Sequence, residues 1–338
     1  MKRIVSRIAY QALALSGVFR LAERRHRSAL RILMYHGVHE GGGHPLDNFD
    51  GLELHVDRFA WQMEHLKKNF DVVGTEACLK QGDGHRPRAA VTFDDAYASV
   101  HSLAFPILKR LGLPATVFVP IDFVLGRKAM WWDRLRVAIR ATGSPSLEVV
   151  YGGKSRTLEL KSLEDKKRAL RALAEDMKLL PTEEREAVLA SILEAATGRG
   201  DVVTGREPMT VAEISEMADG GISFESHGLT HRSLPSLTED EVWRELTESK
   251  RVLEGWTRKP VTWFAYPYGH HDPRTARLLE KAGYRAAVTT KNGFAKRDAP
   301  MCLDRLGIGD PISRPQFLGA LSGVRGLITS LRERTSPA

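Results

Sequence analysis

A chain of 338 residues with 42% hydrophobic side chains can bury one large core, and a single α/β barrel routinely occupies about 200–250 residues. Its net charge of +8 is concentrated at one end: residues 1–27 hold seven Lys or Arg against one Glu, +6 of the total, so a nucleic-acid-binding face spread over the fold is excluded. Two cysteines, Cys78 and Cys302, exclude a disulfide framework and a C-x-x-C metal site.

In chain order, residues 1–29 come first, with Ile8, Ala9, Leu13, Leu15, Val18, Phe19 and Leu21 spaced among the cations. This pattern resembles a basic amphipathic helix suited to an anionic membrane surface. Its apolar run of about 12 residues is too short to span a bilayer. A signal peptide is the rival reading, but Arg20, Arg24, Arg25 and Arg27 disfavour translocation and no small-residue cleavage site follows. The expectation is a cytoplasmic protein or one held peripherally at the cytoplasmic membrane, rather than an exported one.

Short β-rich runs then appear at residues 31–35 (RILMY), 89–93 (AAVTF), 115–119 (ATVFV), 222–225 (ISFE), 261–266 (VTWFAY), 286–290 (AAVTT) and 303–308 (LDRLGI). Helix-period stretches separate most of them, at residues 56–70, after Leu237, and at residues 273–282. Seven such alternations predict an α/β fold, a parallel barrel spanning residues 30–320 with its chemistry at the carboxyl ends of the strands. From Trp131 to about Arg206 the strand pattern stops and helices are expected at residues 133–140, 163–179 and 182–196. The charged run from Lys161 to Arg168 reads as an exposed face, so this insertion is expected to be solvated decoration, with a substrate wall or lid as the alternative. Trp131 and Trp132 read as core, with sugar stacking as the alternative. Residues 321–338 are expected to be a tail.

Two constellations carry chemistry. Asp94 and Asp95 close the run at residues 89–93, and His227 and His231 follow the run at residues 222–225. One carboxylate and two imidazoles can hold a divalent cation and leave positions open for water and substrate. The second carboxylate would then act as a base. Each half alone is weak: twelve histidines give by chance about 0.4 pairs at a chosen spacing. The bland readings are a helix cap for the Asp pair and a solvated turn for the histidines. A non-haem iron oxygenase uses the same donor set but has no need of a further Asp.

With these residues in hand, the chain resembles the polysaccharide deacetylases that share the NodB homology domain (carbohydrate esterase family 4-like), in particular the exopolysaccharide-associated type. T-F-D-D matches Thr92 to Asp95, H-G-L-T-H matches His227 to His231, and the P-Y turn matches Phe264 to Gly269. The resemblance spans residues 30 to 310 and implies a distorted (β/α)7-type barrel and the removal of acetyl groups from N-acetylated sugars of a poly- or oligosaccharide. It further implies that Asp94 is the general base and that Asp95, His227 and His231 are the metal ligands. Tyr268 would offer its backbone N–H to the oxyanion. Zinc is the default ion, with cobalt, nickel or iron fitting the same donors.

The chain also departs from the pattern. After His271 there is no histidine to serve as the late amine-protonating acid. His36, in L-M-Y-H-G-V, is the best substitute because its run would end on the same face of the barrel; His39, His44, His270 and His271 are weaker rivals. No Arg precedes the P-Y turn to orient the base, and Arg305 is the one replacement in a late strand. The D-x-x-D-W element is not recognisable after Ala286. These losses leave a carbohydrate-binding pseudoenzyme and an O-acetyl esterase as alternatives.

Overall fold

The computed structural model describes residues 10–82, 85–126, 129–199 and 202–324. The expectations for residues 1–9 and 325–338 lie outside them. Seven strands close into an all-parallel barrel: β1 (Leu30–Tyr35), β2 (Arg88–Phe93), β3 (Thr116–Val119), β4 (Ser223–Ser226), β5 (Trp263–Ala265), β6 (Ala286–Asn292) and β7 (Leu303–Gly307). The ring runs β1-β7-β6-β5-β4-β3-β2 and returns to β1, which pairs with β2 from Leu30↔Arg88 to Tyr35↔Phe93. A two-residue strand, Asp71–Val72, sits beside the start of β2. All seven strands fall on the β-rich runs, and the expected barrel is the observed one.

Strand alternation sorts the residues into two cores. Leu30, Ile32, Ala90, Phe118, Trp263, Ala265, Ala286, Val288 and Leu303 form one apolar cluster, the filling of the barrel lumen. Their alternates Leu33, Tyr35, Val91, Phe93, Val117, Val119, Phe224, Phe264, Ala287 and Leu306 join a larger cluster with the surrounding helices. Val56–Asn69 buries Phe59, Met63 and Leu66 on one stripe. Glu239–Thr257 and Pro273–Lys281 start at capping boxes, Thr238 with Glu241 and Asp272 with Thr275. The lumen register continues upward: Ile32 and Met34 lead to His36, and Ala90 and Thr92 lead to Asp94. Parity alone therefore aims those two side chains at the mouth of the barrel.

The insertion departs from its expected all-helical character. Besides helices Trp131–Ala141, Leu163–Met177 and Thr182–Thr197 it contains an antiparallel hairpin, Ser146–Tyr151 with Lys154–Glu159. The two-residue turn Gly152-Gly153, both with positive φ (58° and 70°), is the hairpin signal the sequence reading passed over. Alternate residues Leu147, Val149 and Leu158 face a separate apolar cluster with Leu135, Ile139, Leu170, Leu173, Leu189 and Ile192. The insertion thus has its own small core.

Candidate active site

Asp94 is buried at the carboxyl end of β2, and its carboxylate receives two parallel hydrogen bonds from Arg305: Nη1 to Oδ1 at 2.7 Å and Nη2 to Oδ2 at 2.6 Å. Arg305 lies inside the barrel on β7, two residues above the lumen residue Leu303. Its Nε donates to the Thr289 carbonyl at 2.8 Å. The expectation that Arg305 stands in for the missing orienting Arg agrees with this geometry, whereas neighbouring Asp304 faces Lys291 at 3.8 Å. Burial alone would raise the Asp94 pKa, but the Arg305 charge and hydrogen bonds outweigh it and hold the carboxyl well below the usual range. Arg305 therefore keeps Asp94 ionised and fixed in orientation at some cost in basicity.

One residue on, Asp95 turns out of the strand in a left-handed conformation (φ 70°), which brings its Oδ1 to 3.5 Å from His227 Nε2 and 3.3 Å from His231 Nε2. His227 Nδ1 donates to the Ala265 carbonyl at 2.7 Å, which fixes the tautomer and leaves Nε2 as the free lone pair. One ligand atom from each of the three residues lies within 4.8 Å of the others. Asp95 Oδ1 and His231 Nδ1 are buried and lack a hydrogen-bond partner among the described residues. Burial, then the neighbouring His231, lowers the His227 pKa to about 4, so the imidazole is neutral, as a ligand must be. A buried anionic oxygen facing two imidazole nitrogens fits a divalent cation.

The backbone is strained here. Of five non-glycine residues with positive φ among the described residues, Asp95, Ala96, His231 and Tyr268 belong to this site, and the fifth, Arg258, ends a helix. The histidine loop is held in place by Glu245 on Glu239–Thr257. Its carboxylate accepts from the N–H of Leu229 (2.6 Å) and of Thr230 (3.0 Å), and from the Thr230 hydroxyl. Gly228 is required: at φ 83°, a Cβ there would lie 2.9 Å from Glu245 Oε2. Ile121 and Asp122, at the edge of the insertion, donate to the Gly228 and Leu229 carbonyls.

These residues open into a cleft of about 470 Å³ that also includes His36 and Tyr268. Tyr268 sits in the Pro267–Gly269 turn with φ 59° and packs edge-on to His231 at 4.8 Å between ring centres. The rival histidines lie elsewhere: His39 packs on His55, His270 bonds the Ser233 hydroxyl, and His271 stacks on Tyr266; His44 caps a turn at Leu46. The insertion is not solvated decoration on this side, because Trp131, Trp132, Leu135, Leu170, Ala174 and Lys178 form one wall of the cleft. Trp131 is buried and donates its indole N–H to the Tyr268 hydroxyl (3.2 Å). Half-buried Trp132 lies 5.1 Å from the His231 ring and donates to the Tyr97 hydroxyl (3.1 Å).

Sequence reasoning missed what stands behind that wall. Tyr97 donates to Asp133 (3.0 Å), and Asp133 pairs with Arg206 (3.0 Å), which also holds Asp50 and Glu53 at 3.0 and 2.9 Å. Glu245 and Arg206 lie far along the chain from their partners and give no local signal. Asp133, directly after two tryptophans at a helix start, was the one visible pointer.

Comparison with known proteins agrees with this geometry. The sequence model of the polysaccharide deacetylases matches residues 197–287. The chain is 24% identical over 294 residues to YxkH of Bacillus subtilis, whose name places it provisionally among polysaccharide deacetylases; the match covers 85% of this chain and 74% of the relative. Among solved structures, the Streptococcus pyogenes deacetylase PplD in complex with acetate superposes with TM-score 0.58 at 19% identity, over 87% of this chain and 98% of that one. The polysaccharide deacetylase BC0361 of Bacillus cereus gives TM-score 0.56 at 23% identity, over 87% and 69%. At these identities the superpositions establish the fold.

Proposed function

We propose, from the premise that this chain belongs to the polysaccharide deacetylases and is a hydrolase of non-peptide carbon–nitrogen bonds, that it removes acetyl groups from N-acetylated sugars of a poly- or oligosaccharide with the help of one divalent cation. The observation that carries this reading is the cluster of Asp95, His227 and His231 beside the Arg305-bound Asp94. Asp95, His227 and His231 would hold the cation, with zinc the first candidate. When bound, such an ion acidifies water and polarises the acetyl carbonyl.

The chain's own residues supply the rest. Asp94, held ionised and aimed into the cleft, takes the proton from the attacking water. The left-handed turn at Tyr268 offers a backbone N–H to the oxyanion that develops on the acetyl carbonyl. His36 delivers a proton to the departing sugar amine, the task for which the late part of the sequence has no histidine. The aromatic and aliphatic insertion wall of Trp132, Leu135 and Leu170 suits the apolar face of a sugar ring.

Acetate release from a panel of N- and O-acetylated oligosaccharides, with and without a chelator, tests the assignment. Release from N-acetylated substrates that stops with chelator and returns with added zinc is the expected result. Release confined to O-acetyl esters would move the assignment to an esterase. Sugar binding without acetate release in metal-replete protein would make it a pseudoenzyme.

A further inference from the structure

One flank of the barrel, outside the cleft, carries a surface that the catalytic reading leaves unused. Residues 10–15 are helical, a second helix spans Val18–Arg25, and β1 starts at Leu30. Both helical segments are fixed to the fold. Tyr10 and Phe19 are buried in one cluster with Val324, against Leu318 of the Arg314–Ser322 helix. Buried Arg31, at the entry to β1, donates to the carbonyls of Leu321 (2.6 Å), Ala29 (2.8 Å) and His26 (3.0 Å). None of these residues lines the cleft: the His26–Arg31 junction lies at the amino end of β1, whereas Gln11 shares a cavity with Arg58 and Ser313 toward the carboxyl ends of the strands, so the two helical segments run as a platform along the side of the barrel.

The outer face of this platform is apolar and cationic. Leu15 is 86% exposed, Leu21 71% and Val18 38%, three of the eight exposed large hydrophobics among the described residues. Val18, Leu21 and Arg25 are three and four residues apart and share a helix face, while Phe19 lies on the buried one. Arg20, Arg24, Arg25 and Arg27 are exposed as well, and the single acid, Glu23, is half-buried and feels the charge of Arg31. Leucines ringed by arginines complement a surface that is apolar at depth and anionic at its face. The same ring of arginines opposes the pairing of two copies through this patch. No helix among the described residues is long and apolar enough to cross a membrane, so such a contact is interfacial.

We propose that this face docks on an anionic lipid bilayer, with Leu15, Val18 and Leu21 entering the headgroup boundary and Arg20, Arg24 and Arg25 meeting lipid phosphates. The inference does not depend on the deacetylase reading. It is tested by sedimenting the full chain with vesicles of phosphatidylcholine alone or with about 30% phosphatidylglycerol. Anionic vesicles should be bound about tenfold or more tightly than neutral ones, and less so at high salt. The triple variant Leu15→Ser, Val18→Ser, Leu21→Ser should lose that binding, and so should Arg20→Glu, Arg24→Glu, Arg25→Glu, both with an unchanged unfolding midpoint. Should the serine variant fail to fold, the glutamate variant carries the test. Failure to bind vesicles, equal binding to both lipids, or wild-type binding by the folded variants would each overturn the proposal. A wild-type dimer that the variants dissociate would assign the face to a second copy instead.

Discussion

Arg305 in the barrel lumen and Arg206 where the insertion meets the barrel are both buried against carboxylates, and the acids around them differ: Asp94 beside Arg305 is depressed, whereas of the acids around Arg206 Asp50 is depressed and Asp133 is raised. Arg305 serves one carboxylate, Asp94, with two parallel hydrogen bonds, and Asp94 stays well below the usual range. Arg206 is shared by Asp50, Glu53 and Asp133, and takes the Asp47 carbonyl as well at 2.7 Å. Burial, reinforced by the nearby Asp50 charge, outweighs Arg206 and Arg136 and raises the Asp133 pKa to about 6. Burial decides the outcome at Asp133, and the arginine decides it at Asp94 and Asp50. The pair with Arg305 keeps Asp94 anionic, which suits a base that must be ready; the network on Arg206 leaves one of its acids, Asp133, close to protonation, which suits a staple fastening the Trp131–Ala141 helix over the cleft.

The largest expected effect separates a reacting carboxylate from a structural one. Asp94→Asn should lower turnover about 1,000-fold while metal content, measured on the purified variant, stays unchanged. Near-normal turnover would remove Asp94 as the base. Arg206→Met leaves Asp50 and Glu53 without their paired cation and Asp133 with Arg136 alone, and should cost about 3–5 kcal/mol in urea unfolding, with KM rising more than kcat falls as the wall loosens. Arg305→Lys replaces a planar fork by a point charge and should reduce kcat about tenfold. The Asp94 pKa would then rise, so the acidic limb of the pH–rate profile should move to higher pH; a limb that stays put would uncouple the pair.

The smallest effect is in stability against pH, where the two acids predict opposite slopes. The folded Asp133 pKa, about 6, lies above its unfolded value of about 4, so its contribution is complete below pH about 4 and is lost as pH rises through about 6. Asp94 is depressed, so its contribution is present above pH about 4 and is lost as pH falls further. Unfolding measured from pH 3 to 7 should flatten above pH 4 in Asp133→Asn and below pH 4 in Asp94→Asn. Identical profiles for both variants would contradict the comparison.

Much of this was legible because the barrel writes its register in the sequence. Strand parity through Ala90 and Thr92 aims Asp94 into the lumen, and parity through Ile32 and Met34 does the same for His36. Arg305 was visible as a late-strand cation, but its partner lies 211 residues away and only closure of the barrel brings them together. The insertion wall was hidden for a different reason. The charged run from Lys161 to Arg168 covers only the outer face of Leu163–Met177, while Leu170 and Ala174 on the inner side reach the cleft. Glu245 and Arg206 act on loops remote in sequence, where no periodicity announces them.

The central claim is that Asp95, His227 and His231 hold one divalent ion that the reaction requires. Titrating cobalt into chelator-stripped protein, while recording its visible absorption and acetate release together, tests this most directly. The account predicts that both rise in parallel and level off at about one equivalent per chain, and that neither rises in Asp95→Ala. Full acetate release by stripped protein with no bound metal would contradict it.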